Sequence, residues 1–426
     1  MALLVLFAVF LSLMIIGAPV AIAMGIASIC YLAVSDLQST IIVVRMVDSL
    51  DGLTLLAIPF FVLAGEIMNQ GGLTERLFGF ASKLIGHVRG GLAHVNILAS
   101  MFFAGISGSA VADAAGLGRI EIKAMINAGY KPAFSAALTA ASSCIGPIIP
   151  PSILMVVYGT MTDVSIPALF IGGVVPGVLL GVSMMVYVTL IAGREGFPRQ
   201  PRARLVEVFR SFLQNILALG TPVVVLAGLV FGIVTPTEAG AVAVIYSLLV
   251  AIVYGDFNIR STGRILEESL VSTAQILFIM SCSALFGWLV TTEQVPEMLA
   301  QIFKASPFGQ AAFLLATNVI LLFMGTFMSL TAILVIFTPA LLEMALALGV
   351  DPVHLGIVMV LNLTIGVITP PLGWCLYIVT EIAEIKFVET ARAVIPFLIP
   401  LALVLLLVTY VPAFVLWPVD WILSAN

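Results

Sequence analysis

The stretch "GPIIPPSILM", Gly146 to Met155, interrupts an apolar run with three prolines and a glycine. A proline removes a backbone donor and clashes with the preceding helical turn, so this cluster leaves several carbonyls without helical partners. The stretch "GVITPPLGWC", which begins at Gly366, repeats the same Gly-x-x-x-Pro-Pro spacing. The sequence therefore predicts two helix breaks of similar design.

The similarity between the two breaks is part of an internal repeat. A shift of 220 residues places Gly105 on Gly325 and Ser109 on Ser329 without gaps. The segment Gly105–Pro176 contains six prolines, and four of them fall on prolines. A proline frequency of about 5% would give about 0.3 such matches by chance. The chain is therefore predicted to contain two related halves.

The composition identifies the class of protein. Hydrophobic residues make up 62% of the chain and charged residues 9%, against about 25% charged residues in an ordinary soluble domain. Apolar segments near the length of a membrane-spanning helix recur throughout, and they do not alternate in polarity as barrel strands do. We therefore expect an all-α integral membrane protein. The net charge of −5 is spread thinly, so we expect no nucleic-acid partner.

Each half is predicted to contain scaffold helices, an interfacial arm, a hairpin and a broken helix. The first repeat is predicted at 1–193, with its arm at 35–52, its hairpin at 94–129 and its broken helix at 133–160. A basic cytoplasmic linker is predicted at 194–211. The second repeat is predicted at 212–426, with its arm at 256–273, its hairpin at about 314–349 and its broken helix at 353–380. The hairpins are too interrupted for a clean crossing, so we expect them to be re-entrant. Five crossings in each half would make the repeats inverted.

The distribution of basic residues supports this count. If the linker is cytoplasmic, all of the 17 basic residues except Arg45 and Lys304 fall on or near that side, as the positive-inside rule requires. The first sixteen residues are apolar but lack a basic n-region, which favours a helix over a signal peptide. Both termini are then predicted to lie outside the cytoplasm. A single helix across the first 34 residues would instead move the N-terminus inside.

The interruptions indicate a binding site. In transporters with inverted repeats, hairpin tips and broken helices meet near the membrane midplane, where freed carbonyls bind cations and helix N-termini face anions. In this chain the tips are predicted at 105–116 and 325–339, and the breaks at 142–152 and 362–373. Glycine lets backbone approach an ion, and Ser or Thr adds an oxygen ligand. The alternative is that these small residues only permit close helix packing.

Ionisable residues in apolar surroundings are further candidates. Asp113 is the best placed for function, unless it pairs with Arg119 or Lys123. Glu66 and Glu238 adjoin helix ends, so each could serve a function or anchor a helix. The three histidines and four cysteines show no metal-ligand or catalytic spacing. We therefore expect free, buried thiols and no enzymatic site.

These residues carry a resemblance to a known family. The sequence resembles the large membrane subunit of tripartite ATP-independent periplasmic (TRAP) transporters essentially from end to end. The most specific segments are "AGISGSAVADAAGLG", "CIGPIIPPS", "YGTMTDVSIPALFIGGVVPG", "FGIVTPTEAGAVAVIYSLL" and "GVITPPLGWCLYI".

The resemblance implies a function and partners. It implies a sodium-driven secondary importer of an organic acid, such as a C4-dicarboxylate or sialic acid, in the bacterial inner membrane. A periplasmic binding protein would deliver the substrate, and a small four-helix membrane subunit would complete the transporter. Sodium would be the coupling ion, without a further cofactor. The architecture would be similar to that of elevator transporters, in which hairpins and broken helices move against a scaffold.

The resemblance also implies site residues. Sodium ligands would come from the two tips and the two breaks, with many supplied by backbone carbonyls. In the first half they are Ser107, Gly108, Ser109, Asp113, Gly146 and Pro150, and in the second Thr326, Ser329, Thr331, Gly366, Thr369 and Pro370. The substrate would lie between the tips. Its candidate contacts are Ser107, Ser109, Ser143, Thr326, Ser329 and Asn362.

Other functions remain open from the residues alone. Coupling to protons, or transport of an organic anion without a binding protein, would fit the same segments. A channel could also use re-entrant loops, although channels usually assemble from short identical subunits and this chain is duplicated internally. No ATP-binding loop is present in the sequence, so we expect an ion gradient to supply the energy. The sequence does not specify which acid is carried.

Overall fold

The computed structural model describes residues 2–35, 37–38, 40–70, 73–195, 197–198, 201–255, 259–305 and 308–423. Residues 196, 199 and 200 of the predicted linker, and residues 424–426 at the end of the predicted second repeat, lie outside this range. The described chain is helical and contains no strand. The predicted all-α class is confirmed.

The described part of the first half contains eleven α-helices and one short 3-10 helix, Leu53–Leu56. They are α1 (Ala2–Ile16), α2 (Val20–Val34), α3 (Thr40–Asp48), α4 (Ala57–Gln70), α5 (Leu73–Ile85), α6 (Gly91–Ser107), α7 (Ala110–Ala115), α8 (Leu117–Asn127), α9 (Pro132–Ser143), α10 (Ile153–Thr162) and α11 (Ile166–Glu195).

The described part of the second half contains ten helices. They are α12 (Leu205–Val230), α13 (Pro236–Val253), α14 (Ile259–Thr292), α15 (Val295–Lys304), α16 (Gly309–Gly325), α17 (Leu330–Ala347), α18 (Pro352–Gly366), α19 (Trp374–Ala383), α20 (Phe387–Tyr410) and α21 (Ala413–Leu423).

The N-terminal segment forms two helices. Gly17 separates α1 from α2 with a backbone φ of 87°, a left-handed conformation that glycine adopts without a steric penalty. The amides of Gly17 and Ala18 bond to the carbonyls of Met14 and Leu13 at 3.0 Å, which closes the C-terminus of α1. Pro19 then precedes the first turn of α2.

The repeat is visible in the helix boundaries. The proline stretches separate α9 from α10 and α18 from α19, and both Pro-Pro peptide bonds, Pro150–Pro151 and Pro370–Pro371, are cis. A shift of 220 residues places α7 and α8 together on α17. The two hairpins differ in one respect, because Gly116 separates α7 from α8 whereas α17 is continuous.

The helices pack in two main groups. The hairpins and broken helices share the large core, in which α19 contacts α7, α8 and α9 of the first half and α10 contacts α17 of the second. A separate core joins α1 and α2 to α14 around Leu6, Met24 and Leu285. Helix α4 belongs to the large core and contacts α13 and α14 as well as α6 and α10.

The outer surface is apolar. Large hydrophobic side chains such as Ile15, Leu190 and Leu403 are exposed, as expected for residues that face lipid. Six helices of the described chain are long and apolar enough to span a membrane, and α4 with α5 would make a seventh if the bent pair crosses as one unit. Length and composition therefore support a multi-pass membrane protein. The prediction of ten crossings, with several short or broken helices among them, remains a prediction.

We expect both termini to lie on the side opposite the linker. Single cysteines placed at Ser424 and Arg202 should react with a membrane-impermeant maleimide from opposite sides of oriented vesicles. The structure simplifies the background, because Cys144, Cys282 and Cys375 are buried and only Cys30 is partly exposed. A Cys30→Ala chain serves as the parent and the control. Labelling of both positions from the same side would rule out the inverted repeat.

Candidate functional site

A cleft of about 470 Å³ lies where the two hairpin tips meet α4 and α14. Its polar lining comes from both halves of the chain. The polar side chains are those of Glu66, Asn69, Ser107, Ser109, Ser272, Ser329 and Thr331, and the aromatic ones are those of Trp374 and Tyr377. Both predicted tips therefore line one cavity, although they are far apart in sequence.

The first tip is shaped by a close backbone approach. Gly108 ends α6 with a φ of 60°, and a Cβ there would lie 2.8 Å from the carbonyl oxygen of Pro151. A side chain would thus meet both left-handed strain and a backbone clash. Gly105 also faces the break, since a Cβ at Gly105 would lie 3.4 Å from the carbonyl oxygen of Pro150. The carbonyls freed by the first break therefore lie against the hairpin tip.

Ser109 and Ser329 occupy equivalent positions at the two tips. The hydroxyl of Ser109 accepts a hydrogen bond from the amide of Ala112 at 3.4 Å, and that of Ser329 accepts one from Ala332 at 3.3 Å. Both serines are therefore N-caps, of α7 and α17. An N-cap contributes about 0.5–2 kcal/mol to helix stability. Each serine also lines the cleft, so capping and ligand binding are both open to it.

Asp113 lies behind the first tip and is 2% exposed. The hydroxyl of Ser107 donates to its Oδ1, while Oδ2 has no hydrogen-bond partner among the described residues. Gly146 of the first break faces this carboxylate so closely that a Cβ there would collide with Oδ2. In the described chain Asp113 makes no ion pair with Arg119 or Lys123, whose side chains are exposed. The structure thus brings Ser107, Asp113 and Gly146 together.

Glu121 was missed by the sequence reasoning. It lies on α8, is 0% exposed, and neither carboxylate oxygen has a hydrogen-bond partner in the described part of the chain. The Thr139 hydroxyl and Asp113 are its polar neighbours. The sequence did contain a signal for it, since Glu121 lies between Ile120 and Ile122. If these isoleucines pack into the core, the acid between them is buried with them.

The second tip differs from the first. Ile333 takes the repeat position of Asp113, so the acid is not duplicated. The hydroxyls of Thr326 and Thr369 donate to carbonyls of their own helical turns, those of Phe323 at 2.8 Å and Ile365 at 2.7 Å. The carbonyl of Thr326 accepts from the amide of Gly373 at 3.3 Å. The two halves therefore offer different sets of oxygens.

The remaining predicted residues lie away from the cleft lining. Pro150 and Pro370 form the breaks themselves, and Gly366 packs against Gly325. Ser143 is buried and donates to the carbonyl of Ala140 at 2.8 Å. Asn362 is also buried, and its amide donates to the backbone and side-chain oxygens of Asn318 at 2.9 Å. The structure does not bring Ser143 or Asn362 to the space between the tips.

The structure separates the two glutamates that the sequence treated alike. Glu238 is exposed and forms a capping box with Thr235, whose amide donates to Glu238 Oε2 at 2.7 Å. It therefore fixes the start of α13. Glu66 lies on α4 and lines the cleft. The anchor interpretation holds for Glu238, and Glu66 joins the candidate site.

Comparisons with known proteins agree with this architecture. The family described as "Tripartite ATP-independent periplasmic transporter, DctM component" matches residues 7–414. The sialic acid TRAP transporter large permease protein SiaM of Vibrio cholerae is 42% identical over 95% of this chain and 96% of its own length. The C4-dicarboxylate TRAP transporter large permease protein DctM of Pseudomonas aeruginosa is 41% identical over 89% of each chain.

A solved structure supports the fold. The YdaH transporter of Alcanivorax borkumensis, described as having an unusual topology, superposes with a TM-score of 0.60 over 89% of this chain and 88% of that one. The sequences are 18% identical, so the likeness concerns the fold alone. The family match and the two relatives confirm the resemblance drawn from the sequence: this chain belongs to the DctM family of tripartite ATP-independent periplasmic transporters, as a large permease protein.

Proposed function

We propose that this chain is the large permease of a sodium-coupled importer that carries an organic acid across the bacterial inner membrane. A periplasmic binding protein delivers the acid, and a small four-helix membrane subunit completes the transporter. The observation that carries the proposal is the cleft in which both hairpin tips meet. A site shared by the two halves of a duplicated transporter is where substrate and coupling ions are expected to bind.

The charges around the cleft favour a cation as co-substrate. Among its described lining residues there is no Lys, Arg or His, so an acid bound there needs positive charge from another source. Asp113 is buried and has no basic partner among the residues that the structure describes, and a buried carboxylate is costly unless its charge is compensated. A sodium ion between Asp113, Ser107 and the freed carbonyls would meet both needs. A proton on Asp113 is the competing candidate, and uptake driven by one gradient at a time separates the two.

The movement that carries the substrate is proposed to be of the elevator type. The helices α1 and α2 pack with α14 in a core that is distinct from the large core containing the hairpins and broken helices. Gly65 of α4 faces the first tip, since a Cβ at Gly65 would lie 3.3 Å from the carbonyl oxygen of Ser107. Because this contact is formed by a glycine and by backbone atoms, few side chains interlock across it. Such a smooth contact would let the first tip slide along α4.

We expect uptake to require the small subunit, an inward sodium gradient and a loaded binding protein together. Proteoliposomes that contain this chain and its small subunit should accumulate acid only with an inward sodium gradient and a loaded binding protein. Radiolabelled acid inside the vesicles is the measurement. A potassium gradient of equal size is the control for membrane potential. Equal uptake with a proton gradient alone would overturn sodium coupling, and uptake without any binding protein would overturn the tripartite mechanism.

Replacement of Ser109 or Ser329 should distinguish ligand binding from capping. Loss of an oxygen ligand costs about 1–3 kcal/mol, or roughly 5- to 150-fold in apparent sodium affinity. Alanine removes both the ligand and the cap. Glycine also removes the hydroxyl, but it weakens a cap by only a few tenths of a kcal/mol. If the hydroxyls bind the ion, Ser→Gly and Ser→Ala should both raise the sodium concentration required for half-maximal uptake.

Ser165 provides a matched control for this experiment. It accepts a hydrogen bond from the amide of Ala168 at 3.3 Å at the start of α11, and it is not among the described residues that line the cleft. Ser165→Gly should leave the sodium dependence unchanged. If Ser109→Gly and Ser329→Gly behave like this control while the alanine variants lose stability, both tip serines act as caps and the ion is bound by backbone and Asp113.

A further inference from the structure

We propose that a groove between α11 and α20 binds an acyl chain of an anionic phospholipid, whose headgroup lies against Arg392. The groove has a volume of about 390 Å³ and shares no lining residue with the cleft between the tips. The polar side chains among its described lining residues are those of Ser183 and Tyr187, and Ser183 donates to the carbonyl of Leu180 at 2.8 Å. The site is separate from the proposed function, since it requires only a membrane around the chain.

The groove has exposed walls and a buried floor. Leu190 of α11 is 71% exposed, and Ile399 and Leu403 of α20 are 61% and 63% exposed. Pro400 and Val404 lie between these side chains in the lining and are buried. The compact ring of Pro400 extends less far from the helix than leucine or isoleucine, so it leaves a depression between the walls. The groove is therefore open along the outer surface of the protein.

A lipid tail suits this groove better than another helix does. Helices that associate within a membrane approach through small residues such as glycine, alanine and serine. The walls of this groove are instead large aliphatic side chains, which keep a second helix at a distance. A flexible acyl chain can follow the space between them and fill it. The small membrane subunit and a second copy of this chain are the competing occupants.

Arg392 is placed to bind the headgroup. It is the one basic residue within α20, and it precedes Ile399 by seven residues, so both lie on one stripe of the helix. Its side chain is exposed and forms no salt bridge with another described residue. Glu389 and Lys386 lie further toward the start of α20 and carry opposite charges. Arg392 is therefore the charge of this stripe that is closest to the groove.

The distances match one leaflet of a bilayer. Arg392 precedes Leu407, at the far end of the groove, by fifteen residues, or about 22 Å at 1.5 Å per residue. Half a bilayer with its headgroup region measures about 20–22 Å. The positive-inside rule places Arg392 on the cytoplasmic side. A headgroup at Arg392 then lies in the cytoplasmic leaflet, where anionic lipids attract basic residues, and the groove ends near the midplane.

Photocrosslinking with a phosphatidylglycerol that carries a diazirine in its acyl chain tests the site. The complex of this chain with its small subunit is placed in phosphatidylcholine nanodiscs with a small fraction of the probe, illuminated, and digested for mass spectrometry. We expect the label to concentrate on the groove segments of α11 and α20. Unlabelled phosphatidylglycerol should displace the probe about 5-fold more effectively than phosphatidylethanolamine with the same acyl chains, because one basic residue near the surface favours an anionic lipid by about that factor.

Two variants separate the headgroup contact from the groove. Arg392→Gln removes the charge and leaves the groove intact, so the label should remain while the preference for phosphatidylglycerol disappears. Ser183→Phe places a ring in the groove, so most of the label there should be lost. Arg202→Gln, which removes an exposed cation near the start of α12, is the control for charge. Val182→Phe adds the same ring at a position that is 47% exposed and outside the groove lining, and both controls should behave like the unmodified chain.

Three results would overturn the proposal. If the groove segments take no label in the complex, the small subunit or a second copy covers them and no lipid binds there. If the label spreads evenly over all lipid-facing helices, the groove holds only ordinary boundary lipid. If phosphatidylglycerol competes no better than phosphatidylethanolamine, or if Arg392→Gln keeps the preference, the headgroup contact is wrong. The competition on the unmodified chain needs no variant, so it remains decisive if a variant fails to fold.

Discussion

Replacing Asp113 with asparagine should raise the sodium concentration needed for half-maximal uptake by roughly 150- to 4,000-fold. Asparagine keeps the size of the side chain and an oxygen that can accept from Ser107, but it removes the charge. Removal of one partner from a buried charge pair costs about 3–5 kcal/mol, and the proposed partner here is the ion. The effect should therefore fall on ion binding and not on the packing of the tip.

Thermal stability provides a second measurement of the same change. An ion that binds only the folded state stabilises it in proportion to the logarithm of its concentration. The melting temperature of the unmodified complex should therefore rise with added sodium, and that of Asp113→Asn should not. Without sodium, Asp113→Asn should melt at or above the temperature of the unmodified chain, because an unpartnered buried charge has been removed.

Glu381→Gln is the matched control, since it removes an exposed carboxylate from α19. It should leave uptake and the sodium dependence of melting unchanged. If Asp113→Asn transports with unaltered sodium dependence, the carboxylate does not hold the ion. The candidate cation site at the first tip would then be wrong, and Asp113 would have to be explained by its hydrogen bond to Ser107 alone.

Replacing Gly366 with alanine should destabilise the second half of the protein. A Cβ on Gly366 would lie 2.9 Å from the Cα of Gly325, and one on Gly325 would lie 3.0 Å from the Cα of Gly366. The obstruction is backbone, so α16 and α18 must move apart. Overpacking of this kind costs about 1–3 kcal/mol. We expect a lower melting temperature of the complex, less protein in the membrane and a corresponding loss of uptake.

Gly79→Ala is the control for Gly366→Ala. Gly79 lies in α5, and a Cβ added there would have no atom within 4 Å. Alanine at this position should be neutral or stabilising by about 1 kcal/mol, the difference in helix propensity. The double variant Gly325→Ala with Gly366→Ala should cost less than the two single changes added together, because either methyl group already separates the helices. Strict additivity would show that the two glycines do not share one contact.

Much of the site was predictable from residues that act locally. Proline ends a helix wherever it stands in such a cluster, so the two Gly-x-x-x-Pro-Pro stretches predicted the breaks between α9 and α10 and between α18 and α19. The tips were predictable from glycine and serine in the same local way, and Ser107, Gly108, Ser109, Ser329 and Thr331 do line the cleft. The role of each remains to be measured, because position in the cleft does not show what a residue binds.

Equivalent positions in the repeat have different surroundings. Gly146 and Gly366 are related by the repeat, yet Gly146 makes room for the Asp113 carboxylate and Gly366 makes room for another helix. Ile333 stands where a second acid would have completed the symmetry. The repeat in the sequence shows that the two segments fold alike. The atoms that pack beside each glycine belong to residues elsewhere in the chain, and those residues differ between the two halves.

The sequence by itself determined the membrane class, the duplication, the breaks and the family, because these follow from composition, proline and glycine chemistry and motifs that are local in the chain. Only the tertiary structure decided that Glu66 lines the cleft while Glu238 caps a helix, that Glu121 is buried beside Asp113, and that Asn362 pairs with Asn318 away from the tips. These choices depend on which face of each helix meets which neighbour. That is settled by packing between segments that are far apart in the chain, and no local pattern records it.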